Sequence, residues 1–90
     1  MPAEVLRRLG LEIRSLREEN GMSRVDLAAA SGLHRNYLMS VERGDRNISM
    51  ANLLRIAAAL GTTVPELLSK VIDEPWTETG RRRNADREDQ

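Results

Sequence analysis

The chain has 90 residues, 40% of them hydrophobic, a size and content that support one small core and exclude two. It holds no cysteine and a single histidine, His34, so a disulfide framework and a thiolate or imidazole metal cluster are both excluded, and a reducing cytoplasm is the expected compartment. Fourteen basic side chains balance fourteen acidic ones, but residues 1–72 carry ten Lys and Arg against eight Asp and Glu, and residues 73–90 carry four against six, so a mildly basic domain precedes a mildly acidic tail.

No apolar run approaches the roughly 20 residues needed to cross a bilayer, and the opening "MPAEVLRRLG" lacks the apolar region of a signal peptide, so no membrane partner is expected. From Glu4 to Asn20, Val5, Leu6, Leu9, Ile13 and Leu16 recur at helical spacing, and Gly21 suits a left-handed stop. A second helix is predicted after Ser23, whose hydroxyl can cap, with Asp26 near the positive end of the helix dipole. It runs through "VDLAAA" and breaks at Ser31-Gly32.

The third helix, about Arg35 to Arg43, has Leu38 and Val41 on one side and Arg35, Asn36 and Ser40 on the other. Ser49 can cap a fourth, "MANLLRIAAAL", in which Leu53, Ile56, Ala57 and Leu60 share a face. A fifth begins at "TVPELL", where Thr63 and Glu66 have capping-box spacing and Pro65 lies in the first turn. Five short helices without any alternating strand pattern predict an all-α fold over residues 1–72. After Ile72, "DEPWTETGRRRNADREDQ" has one large apolar residue, Trp76, and no period, so residues 73–90 are expected to be a flexible C-terminal tail.

Two helices separated by a turn of three or four residues that contains Gly have the geometry of a helix-turn-helix, whose second helix enters the DNA major groove. Ala28 must be small where the helices cross, Gly32 must permit the turn, and Leu27, Leu33, Leu38 and Val41 must anchor both helices. All six positions are suitably occupied, a joint match far more specific than any one of them. A solvated amphipathic helix is the plain alternative for "LHRNYLMSVERG" taken alone.

On these residues the chain resembles the lambda-repressor-like, XRE-type helix-turn-helix regulators. The likeness runs over residues 9–68, about two-thirds of the chain, through "LEIRSLREENGMSRVDLA", "SGLHRNYLMSVERG" and "LLRIAAALGTTVPELL". Within that family, "HRNYLMSVERGDRNIS" is most similar to the controller proteins of restriction-modification systems. The resemblance implies a five-helix DNA-binding domain in which Arg35, Asn36 and Ser40 touch base edges. Arg can fork onto guanine O6 and N7, and Asn can pair with adenine N6 and N7, so the residue types suit that role.

It further implies that Arg24, His34, Tyr37, Arg43, Arg46 and Asn47 lie along the sugar-phosphate backbone, where they position the protein without reading sequence. Arg24 stands where the family usually has Gln, and His34 replaces a small hydroxyl cap, which leaves N–H groups expected to meet a phosphate. Ser31 replaces a more usual aliphatic residue, so a less firmly packed turn is expected there. Arg17 and Glu42 match the positions of a structural ion pair. Tyr37 is equally suited to packing on the core, and Met22, Met39 and Met50 read as packing residues.

One such module makes few contacts, so a homodimer on a pseudo-palindromic double-stranded DNA operator is expected. Leu67 and Leu68, with Val71 and Ile72, cannot all face one core from one helix, which makes them the candidate dimer surface, extended by Trp76 or by the end of the fourth helix. The alternative is an antitoxin or adaptor whose tail binds a protein partner, with Trp76 as its main apolar contact. "GRRR" at 80–83 reads as solvated tail because acidic residues follow it at once. No cofactor box is visible, and catalysis lacks its materials: one His, no Cys and one Lys, Lys70, with Glu18 and Glu19 adjacent rather than facing.

Overall fold

The computed structural model describes residues 1–72; the tail, with the expectations attached to Trp76, to 80–83 and to a protein partner, lies outside the described residues. Five helices follow one another: α1 (Ala3–Glu19), α2 (Arg24–Ser31), α3 (Arg35–Glu42), α4 (Met50–Ala59) and α5 (Val64–Ser69). Among the described residues there is no strand, as the patterning predicts, and no helix long and apolar enough to cross a membrane.

The starts of α2, α4 and α5 have a local cause. Ser23 and Asp26 form a complete capping box, the Ser23 hydroxyl accepting the Asp26 N–H at 3.0 Å and the Asp26 carboxylate accepting the Ser23 N–H at 2.9 Å. The Ser49 hydroxyl accepts from the Asn52 N–H, and the Thr63 hydroxyl accepts from the Glu66 N–H with Pro65 in the first turn. Between α2 and α3 the chain reverses at Gly32, whose φ of 72° is costly for a residue with a side chain, and the Gly32 and Leu33 N–H groups both donate to the Ala28 carbonyl.

Leu9, Ile13, Leu27, Leu38, Leu53, Ile56, Leu67 and Val71 are the fully buried large side chains, so every helix contributes to one core. α1 packs on α3 and α5, α2 on α3 and α4, and α4 on α5, which surrounds α3 on its inner side only. α1 approaches α3 very closely. A Cβ built on Gly10 would stand 2.4 Å from the Glu42 carbonyl oxygen and 2.5 Å from that of Val41, so the contact is backbone against backbone.

Two expectations need correction. Leu67 and Val71 are each only 1% exposed and belong to the core, and Leu68 packs half-buried against it, which leaves Ile72 alone of the four as an exposed apolar side chain. The reason is that α5 ends at Ser69: Val71 and Ile72 lie past the helix, where their N–H groups bond back to the Leu68 carbonyl and the turn brings Val71 inward. Ser31, expected to weaken its turn, is buried with its hydroxyl donating to the Leu27 carbonyl at 2.7 Å, so the polar atom is satisfied.

Candidate nucleic-acid interface

α3 owes its orientation to its apolar side. Leu38 and Val41, 0% and 3% exposed, fix the helix to the core and leave Arg35 and Asn36 exposed and Ser40 half-buried on the opposite side. Asn36, Ser40 and Arg43 follow at i, i+4 and i+7, one strip of the surface, with Arg35 flanking it at the first turn. The Ser40 hydroxyl donates to the Asn36 carbonyl at 3.2 Å, which still leaves its lone pairs to accept.

The start of α3 differs from expectation. His34 caps the helix itself, its Nδ1 accepting the Asn36 N–H at 3.0 Å, so this first-turn N–H is not open to a phosphate. With Nδ1 turned to the Asn36 N–H, Nε2 is the ring nitrogen that the exposed His34 can offer to an anion as a donor.

Of the two roles that the sequence left open for Tyr37, the structure shows the packing one. It packs half-buried against the core, while its hydroxyl accepts from Asn52 Nδ2 at 3.1 Å and its ring carries the Arg46 guanidinium at 5.3 Å. A cation over an aromatic face is held by the ring quadrupole, so Arg46 is steadied on the outer side of α3 although it lies in the following loop. Asn52, on α4, escaped the sequence reading because its partner is fifteen positions earlier and no spacing rule links them.

Arg43 pairs with Asp45 at 3.0 Å, both well exposed, a contact that solvent weakens and a stronger anion can displace. The Asn47 carbonyl oxygen Oδ1 accepts from the Met1 ammonium at 3.2 Å.

Behind this surface lies the buried ion pair. Arg17 donates from Nε to Glu42 Oε2 at 2.7 Å and from Nη2 to Oε1 at 3.2 Å, a two-pronged contact between side chains 8% and 2% exposed, and its Nη1 donates to the Met22 carbonyl. The hydrogen bond to Glu42 raises the Arg17 pKa above its ordinary value, so the guanidinium stays charged throughout any working pH. Arg24, assigned by resemblance to a phosphate, also reaches this carboxylate, its Nε donating to Glu42 Oε1 at 3.1 Å. That bond could not be foreseen from spacing.

Four of the arginines named so far, Arg24, Arg35, Arg43 and Arg46, keep side-chain surface on this side of the protein or its flanks, around a helix presenting an amide and a hydroxyl. Cations and hydrogen-bonding groups of that kind suit the recognition of a polyanion.

The comparisons agree with the geometry. A family model described as helix-turn-helix matches residues 13–67. Over 62 residues the chain is 47% identical to control protein C.SmaI of Serratia marcescens, an alignment covering 69% of this chain and 74% of that protein. The restriction-modification controller protein C.AhdI from Aeromonas hydrophila superposes with a TM-score of 0.67 at 45% identity, over 69% of this chain and 94% of that one. The controller protein C.Esp1396I, solved as a tetramer in complex with its natural 35 base-pair operator, superposes with a TM-score of 0.66 at 30% identity, over 74% of this chain and 93% of that one.

Proposed function

The chain belongs to the XRE-type helix-turn-helix family of DNA-binding transcriptional regulators, and from that premise we propose that it binds a pseudo-palindromic operator as a homodimer, with α3 of each subunit in a major groove. The observation that carries the reading is the two-sided α3: Leu38 and Val41 are locked in the core, and Arg35, Asn36 and Ser40 remain on the other side with donors and acceptors for base edges. Arg24, His34, Tyr37, Arg43, Arg46 and Asn47 hold the sugar-phosphate backbone around it. The relatives' names favour control of a restriction-modification pair as the regulatory role.

With Leu67 and Val71 in the core, the dimer surface we assign is the outer side of α4, where Met50 and Leu54 stand one helical turn apart at 59% and 55% exposure, together with Ile72. Two-fold symmetry then places half-sites about 34 to 36 Å apart, or a multiple of that distance.

Selection of preferred sites from random duplexes tests the reading: it should return inverted half-sites at that spacing. Leu54→Glu should turn the dimer into a monomer on sizing and abolish selection, while keeping the helical spectrum. Recovery of a single half-site, with Leu54→Glu unchanged in size, would refute the dimer and its interface.

A further inference from the structure

Glu42 holds two guanidinium groups, and they are held differently. Arg17 is saturated: Nε and Nη2 grip the carboxylate, Nη1 holds the Met22 carbonyl, and its side chain is 8% exposed. Arg24 gives the carboxylate only Nε, at 3.1 Å, and its terminal nitrogens have no protein partner among the described residues; its side chain is 35% exposed. Glu18 also comes within 4.0 Å of Arg17 but is shared with Arg14 at 3.2 Å, so three guanidinium groups meet two carboxylates, and of the two partners of Glu42 it is Arg24 that carries the surplus positive charge to the surface.

Resting on the DNA-binding reading above, we propose that Glu42, a buried residue that never touches DNA, is a positioning residue: it grips one edge of the Arg24 guanidinium and so aims the opposite edge, with the surplus charge, at a backbone phosphate. Arginine suits this because its fork is rigid, and one planar group can serve a carboxylate and a phosphate from different edges. Lysine does not suit it. Its charge sits on one nitrogen, and an ammonium drawn to the buried carboxylate stops about one bond short of the terminal nitrogens of arginine.

The arrangement joins two jobs on one carboxylate. Glu42 ties α1 to the end of α3 through Arg17, and ties the start of α2 to the same point through Arg24. A phosphate that takes hold of Arg24 is thereby connected, through one side chain, to the brace that keeps α3 in place.

The experiment is the dependence of DNA affinity on salt, measured on random duplex with the full chain, because each phosphate neutralised contributes about 0.9 to the slope of log K against log salt. Arg24→Gln should lower that slope by about one, and Arg24→Lys should lower it nearly as much, although it keeps the charge. Both should melt close to the unchanged protein in the absence of DNA. Glu42→Gln, where circular dichroism finds it folded, should lose the same increment, and adding Arg24→Gln to it should lose no more.

A slope retained in Arg24→Lys would overturn the proposal, since charge alone would then suffice; so would a slope retained in Arg24→Gln, or increments that add in the double variant. Should Glu42→Gln fail to fold, the lysine variant decides by itself. If the unchanged protein binds no duplex in a salt-dependent way, the DNA-binding reading fails and carries this proposal with it, an outcome distinct from the others.

Discussion

Arg35 and Arg46 have different surroundings, and the function proposed above gives them different work. Arg35 is exposed on the first turn of α3, whereas Arg46 is stacked over Tyr37 in the loop beyond it. Arg35→Ala should cost about 1 to 3 kcal/mol on the operator and relax one base preference, while Arg46→Ala should weaken every duplex alike. Competition binding against operator variants separates the two; equal losses on operator and random DNA in Arg35→Ala would remove its reading role. The division between Leu38 and Val41 inside and Arg35, Asn36 and Ser40 outside was legible in the sequence because helical period alone dictates it. The His34 cap, the Asn52 bond to Tyr37 and the Arg24 bond to Glu42 were not, because each depends on a rotamer or on a partner brought close only by the fold.

At the scale of elements, the α1–α3 contact is the tightest constraint. Ala in place of Gly within a helix is favoured by about 1 kcal/mol on propensity. At Gly10 the added methyl would fall within 2.5 Å of two backbone oxygens, which no rotamer change relieves, and overpacking of this kind costs about 1 to 3 kcal/mol or more. Gly10→Ala should therefore lower the thermal midpoint, and a rise would contradict the packing described. Periodicity identified α1 but gave Gly10 no role, because a close approach involves the partner helix and not the helix's own pattern.

The start of α2 makes a prediction in pH. Backbone and side-chain hydrogen bonds from Ser23 hold the Asp26 carboxyl below its ordinary value of 3.8. Its folded value is thus lower than its unfolded one, so the stabilisation is complete above the unfolded value and is lost as pH falls through the folded one. The difference in melting temperature between the unchanged protein and Asp26→Asn should be constant near neutrality and should close as the pH drops below about 4. A difference that persists at pH 2 would mean that the charge of Asp26 is not what stabilises the turn. The Ser23 cap and the favourable place of Asp26 near the helix dipole were legible in the sequence, and the fold adds the return bond from the Ser23 N–H to the Asp26 carboxylate.

For the whole molecule, order and class of the helices were legible from caps, glycines and periodicity, and so was the part of the core supplied by residues 9–60, whereas Val64, Leu67 and Val71 were not. The surface left for a second subunit was not. Counting apolar residues on α5 assumed that the helix continued through Ile72, whereas its end at Ser69 lets the monomer use Leu67 and Val71 itself. Surplus apolar area is a property of the finished fold: Met50, read in the sequence as a packing residue, is exposed at the first turn of α4, and it and Leu54 were recognisable as surplus only after α4 had been placed against α2 and α5.

One tie across the molecule bears on how it comes apart. Asn20, at the end of α1, donates from Nδ2 to the carbonyl of Leu60, at the end of α4, at 3.0 Å and across 40 positions of chain. Most other contacts in a small helical bundle are local and form within microseconds to milliseconds, whereas a bond between such distant positions must first close a long loop and is expected to form after the folding barrier. Asn20→Ala, at a cost of about 1 kcal/mol, should accordingly leave the refolding rate near its original value and quicken unfolding about fivefold in stopped-flow traces, so that this one amide acts as a latch on the lifetime of the native state.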